Sequence, residues 1–153
     1  MTRLLRATAA TVTIVCLAIS FSNSPARAQQ GYEFKPVLTH KNVSRDPDGL
    51  WDPGEFQPFG NPPHLPSLYT ASLTTPAGEW IVSMIDSECS LQSTCQFILA
   101  LRKPDGSLVK MGTGSLLMGG TATLSQNYKK IVTEEIDEDQ KAIRGSYDVG
   151  PQK

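Results

Sequence analysis

The densest run of chemistry in the chain is Ser44-Arg45-Asp46-Pro47-Asp48-Gly49-Leu50-Trp51-Asp52-Pro53-Gly54-Glu55. It spaces oxygen donors along one short loop, and a hard divalent cation such as Ca2+ takes about six to eight oxygens from such a spacing. Counted from Ser44, Asp46 stands third, Asp48 fifth and Asp52 ninth. Gly49 falls sixth, where a metal loop turns sharply, and Leu50 falls seventh, where the backbone carbonyl would serve. Glu55 closes the run at the twelfth position, the place of a bidentate carboxylate.

Over these twelve residues the segment resembles the calcium loops of EF-hands and related secreted modules. The resemblance implies a Ca2+ ion held by Asp46, Asp48, Leu50, Asp52 and Glu55. The chain departs from that pattern at Ser44, which stands where an Asp would. No helical pattern flanks the loop, and Pro47 and Pro53 restrict its backbone. The simpler reading is a chain of turns: Asp-Pro-Asp-Gly and Asp-Pro-Gly are turn formers with solvated acids.

Two cysteines follow, Cys89 and Cys95, with five residues between them. In an oxidising compartment such a pair is expected to form a disulfide. The ring is small, so its closure contributes about 2 kcal/mol. Its main effect would be to fix the loop that carries Leu91. A redox pair would want two intervening residues beside a helix start, and the spacing does not offer that. Further on, Glu134, Glu135, Asp137, Glu138 and Asp139 are five acids in six positions. The plain reading is a solvated turn, with a cation site or a face for a basic partner as the sharper one.

Catalytic residues are sparse. His40 and His64 are the only histidines, and no Gly-x-Ser-x-Gly elbow supplies a nucleophile. Two histidines and two cysteines do not have zinc-like spacing. Trp51, Phe56 and Phe59 lie in a polar, proline-rich stretch. They would either pack that stretch onto the fold or, with Leu91, present anchors to a partner.

The elements that must position these residues show in the texture of the chain. The opening 1–28 reads as a cleavable signal peptide. Arg3 and Arg6 precede an uncharged run from Ala7 to Phe21, and Ala26-Arg27-Ala28 offers a cleavage site. The run is about 15 residues, short of the roughly 20 needed to span a bilayer. Cleavage would leave 125 residues, the size of one domain. It would also leave eleven basic side chains against fifteen acidic, a balance of −4. An acidic domain lacks the basic face that nucleic acid or anionic membrane requires. No later stretch is apolar enough to span a membrane.

Residues 29–67 read as a Pro/Gly-rich arm, since prolines and glycines crowd 41–67 and exclude an interior strand. From Leu68 to the end, short alternating runs are separated by turn signals. Tyr69, Ala71 and Leu73 share a face, as do Phe97, Leu99 and Leu101. Lys103-Pro104-Asp105-Gly106 and Gly119-Gly120 are expected to close hairpins. After Tyr128 the β-branched content favours strand, acidic turn, strand over a helix. The expected fold is all-β: a small antiparallel β-sandwich or partly closed barrel of six to eight short strands, with 29–153 as one folded unit.

These readings imply an exported protein, periplasmic or extracellular. Its expected role is a non-catalytic binding module, in its sharper form an inhibitor of an envelope enzyme, with another envelope or secreted protein as partner. A calcium-stabilised adhesion domain and a small envelope hydrolase are the alternatives.

Overall fold

A computed structural model describes residues 31–152, so the expected signal peptide lies outside the described residues. The chain forms nine strands: β1 (Tyr32–Phe34), β2 (Val37–His40), β3 (Leu68–Thr75), β4 (Gly78–Cys89), β5 (Thr94–Arg102), β6 (Leu108–Leu117), β7 (Ala122–Leu124), β8 (Lys130–Ile136) and β9 (Ala142–Asp148). They make two antiparallel sheets, ordered β1-β7-β8-β9 and β2-β3-β4-β5-β6. The architecture is the expected all-β sandwich. The strand count exceeds eight because the arm itself contributes β1, which pairs with β7, and β2, which pairs with β3.

The sheets close on a shared core. Trp80, Val82 and Met84 of β4, Phe97 and Leu99 of β5 and Leu116 of β6 meet Phe34, Ala122, Leu124 and Ile131 from the other sheet. Each set follows the two-residue period of a strand that buries one face. Tyr69, Ala71 and Leu73 join from β3, as their alternation indicated.

Residues 128–136 are not helical. Tyr128 sits in a turn with φ of 56°, and β8 begins at Lys130. The Lys103–Gly106 turn closes the β5–β6 hairpin, with the Gly106 N–H donating to the Lys103 carbonyl at 2.9 Å. The Gly119-Gly120 expectation is corrected. That turn follows β6 but leads into β7, which belongs to the other sheet. Gly119, at φ of +79°, lets the chain cross between layers, and β7 pairs with β1 and β8 instead. A turn residue fixes a change of direction, not the partner strand.

The arm is part of the fold. Leu50, Trp51 and Phe56 pack on Leu68, Ile81, Ile85, Ile98 and Ala100, which lie on the outer face of the five-stranded sheet. That sheet is therefore buried on both sides. This accounts for Trp80–Ile85 being buried at all six positions, apolar except for Ser83, since a strand covered on both faces has no wet face to alternate with. At the far edge, the tail after β9 crosses to β6. Gly150 N–H donates to Met111 O at 2.7 Å and Gln152 N–H to Lys110 O at 2.9 Å. The two sheets are thus stitched along one side.

Candidate functional site

The proline-rich loop does not assemble its carboxylates into one ligand set. Asp46 turns both oxygens on the backbone: Oδ1 accepts from Asp48 N–H at 2.9 Å. Oδ2 accepts from Leu50 N–H at 2.7 Å and Trp51 N–H at 3.1 Å. Asp48 instead reaches out to the Arg102 guanidinium at 2.7 Å, which also binds Glu79 at 3.1 Å. That pairing, with Asp48 foremost, holds the Arg102 pKa above its ordinary value. Leu50 is buried through its side chain. Asp52 caps the 3-10 turn Pro53–Phe56, and its N–H donates to Glu55 Oε2 at 2.9 Å. Among the described residues, no three His, Cys, Asp or Glu side chains stand close enough to share a metal ion. The geometry is that of consecutive turns closed by protein donors.

Trp51 and Phe56 are corrected as partner anchors, since both are only 4% exposed. Their rings fill the second core, and the Trp51 indole N–H donates to the buried Ser83 hydroxyl at 2.8 Å. Phe59 is half-buried against the exposed His64 ring, 4.4 Å between centroids, in a short loop closed by their reciprocal backbone bonds. His40 is exposed on β2, paired with Leu68.

What the structure does bring together is one end of the sandwich. Cys89 and Cys95 form a disulfide across β4 and β5, directly opposite each other in register. The tip they close is tight. Ser90 N–H donates to Thr94 O at 2.8 Å and Ser93 N–H to Ser90 O at 3.0 Å, and Ser93 takes a positive φ of 62°. On this tip Leu91 is 101% exposed.

Two other turns crowd beside it. Met118 N–H donates to Ser93 O at 2.8 Å, which brings in the β6–β7 crossing. Ile136 N–H meets Thr94 Oγ1 at 3.4 Å, which brings in the β8–β9 turn. That turn carries Asp137, Glu138 and Asp139, with Asp137 folded back to accept from Lys141 N–H at 2.8 Å. Residues 134–144 hold five acids against Lys141 and Arg144, a balance of −3.

A cleft of about 360 Å³ opens on the same end, lined by Leu117, Glu134, Glu135, Ala142, Ile143 and Arg144. Glu135 stands in the inward-facing row of β8 with Ile131 and Thr133. Its Oε1 accepts two hydroxyls, Tyr147 at 2.7 Å and Thr133 at 2.8 Å. Two glycines make room. A Cβ on Gly145 would collide with the Glu135 carboxylate, and one on Gly114 would lie 2.7 Å from the Tyr147 ring. Burial, and then the Glu135 bond, raise the Tyr147 pKa, so its proton stays in place to donate. Glu134 lies on the opposite face and accepts from Thr121 N–H at 2.8 Å.

Reading along the chain kept the disulfide loop and the acidic run apart, because nothing local links residue 91 to residue 138. The inward Glu135 carried one sequence signal: an acid in phase with Ile131 and Thr133, followed by a glycine in the neighbouring strand. Compared with protein-family models, curated proteins and solved structures, the chain matches none.

Proposed function

We propose that this protein is a non-catalytic binding module that works outside the cytosol and docks a basic envelope or secreted protein, such as a cell-wall hydrolase, through its turn-bearing end. One observation carries the reading: a wholly exposed leucine sits on a disulfide-tied tip, flanked by an acidic turn. Burying a leucine side chain is worth about 1.5–3 kcal/mol, and here that gain is left for a partner. A tip already fixed by a cross-link loses little freedom on binding. The acidic neighbours supply long-range attraction to a basic surface. The signal-like opening and the disulfide both fit an oxidising exterior.

The test is a side-by-side capture from envelope extract with the wild-type chain and Leu91→Asp. The reading requires a basic protein retained by the first and lost by the second, with retention weakening as salt rises. If nothing specific is retained, or if both baits retain the same protein, the docking role is wrong.

A further inference from the structure

The cleft beside Leu91 has a definite chemistry. Glu135 is an acid set in the row of side chains that faces the opposite sheet, where sandwich positions are normally apolar. Its first oxygen is fixed by two hydroxyl donors, Tyr147 and Thr133. Its second oxygen has no hydrogen-bond partner or counter-ion among the described residues. Trp80 Nε1 is the sole fully buried side-chain nitrogen or oxygen left unpartnered there, so Glu135 Oε2 is not fully buried. The residue is half-buried, and its carboxylate is oriented and still able to accept. Leu117, Ala142 and Ile143 give the cleft its apolar lining; Ile143, opposite Glu135 in register and on its face, remains 43% exposed.

We propose that this cleft receives one arginine or lysine side chain of the partner, with Glu135 as its counter-ion and Leu117 and Ile143 against its methylene stem. The inference rests on the reading of this end as a docking surface and names the group that surface selects. Long basic side chains have this two-part character, an apolar stem and a charged head. The Tyr147 and Thr133 hydroxyls hold the carboxylate in place before the ligand arrives, so little order is lost when it does. Arg144 lines the same cleft and opposes a cation. Glu134 and the acidic turn outweigh it, leaving the surroundings negative. The arrangement rules out a purely apolar anchor, which would leave Glu135 desolvated without a counter-charge.

The probe is N-acetyl-arginine amide, titrated into the isotope-labelled chain and followed through backbone amide shifts. Saturable shifts should appear at Leu117, Glu135 and Ile143, with an affinity on the order of millimolar for so small a ligand. The citrulline analogue, equal in shape but neutral, should leave those amides in place. Glu135→Gln keeps an acceptor for both hydroxyls and should weaken binding at least roughly tenfold. Arg144→Ala removes the repulsive charge and should tighten it. Leu91→Asp lies outside the cleft and should leave the titration unchanged.

Absent shifts, equal shifts with citrulline, or full affinity in Glu135→Gln would overturn the assignment. Weaker binding in Arg144→Ala would do so as well, since removing a like charge must favour a cation held by Glu135. A silent cleft combined with loss of capture in Leu91→Asp sinks only this inference. A working cleft with unaltered capture in Leu91→Asp sinks the docking role of the tip.

Discussion

At the scale of single residues, the carboxylates of the proline-rich loop show how one motif supports two opposite readings. Asp46 was expected as a ligand or a turn former, and its three backbone partners make it the latter. Asp46→Ala should lower stability by about 1–3 kcal/mol in urea unfolding, because it strands backbone donors beside the second core. A chelator should leave the melting temperature of the wild type unchanged, and a clear drop would restore the metal reading. Glu55 gives a pH test. Burial, foremost, holds its carboxyl above the ordinary range against the lowering bond from Asp52 N–H, with the charges of Asp52 and Glu88 adding smaller upward pushes. A carboxyl with a raised folded pKa binds its proton more tightly in the folded chain, so stability falls as pH climbs from the unfolded value through the folded one. Glu55→Gln keeps the acceptor for Asp52 N–H and removes that titration. Its stability relative to wild type should be more favourable at pH 7 than at pH 4, and the reverse order in paired denaturant curves would refute the assignment.

At the scale of elements, alternation made most strands legible. Tyr69-Ala71-Leu73 and Phe97-Leu99-Leu101 point inward as their spacing indicated, because a strand side chain can face only two ways. Partner choice was not legible. Gly119-Gly120 looked like a hairpin turn, yet β6 and β7 lie in different sheets. Which sheet a strand joins is decided by distant pairings, β7 with β1 and β8, that leave no local mark. The two readings of the arm aromatics, packed on the fold or offered as anchors, could not be separated for a related reason. Trp51 and Phe56 sit among polar residues, but the surface that buries them is made of Ile81, Ile85 and Ile98, far along the chain. The signal was the stretch Trp80–Ile85 of β4, apolar at every position but Ser83 and too continuous for a strand with one wet face. Phe56→Ala should therefore cost about 3–5 kcal/mol, as a core truncation does. Arm proteolysis should accelerate with it, and a surface-like loss under about 0.5 kcal/mol would show that the arm is not held by that core.

For the whole molecule, the two stitched sheets set a division of labour between ends and faces. One outer face of the sandwich is closed by the arm, and the β9–β6 edge is closed by the tail. The β2 edge is blunted by Pro36 before the strand, a register shift between Leu38 and His40, and Lys35 and Lys41 beside it. What stays open and chemically distinct is the end with three turns, where the disulfide, Leu91, the acidic turn and the Glu135 cleft meet. The cross-link matters to that end more than to the fold. A ring this small contributes about 2 kcal/mol through loop closure, a modest share of a typical domain's stability. Replacing both Cys89 and Cys95 with serine should thus leave a folded chain, with an unfolding midpoint lower by an amount of that order. The turn itself should loosen far more than the rest, since its remaining ties are serine and backbone bonds at the surface. Hydrogen exchange resolves the two effects. Amides of residues 90–94 should lose protection while those of β4 and β5 near Val82 and Leu99 keep theirs. Uniform loss across both strands would mean that the disulfide supports the core rather than the tip.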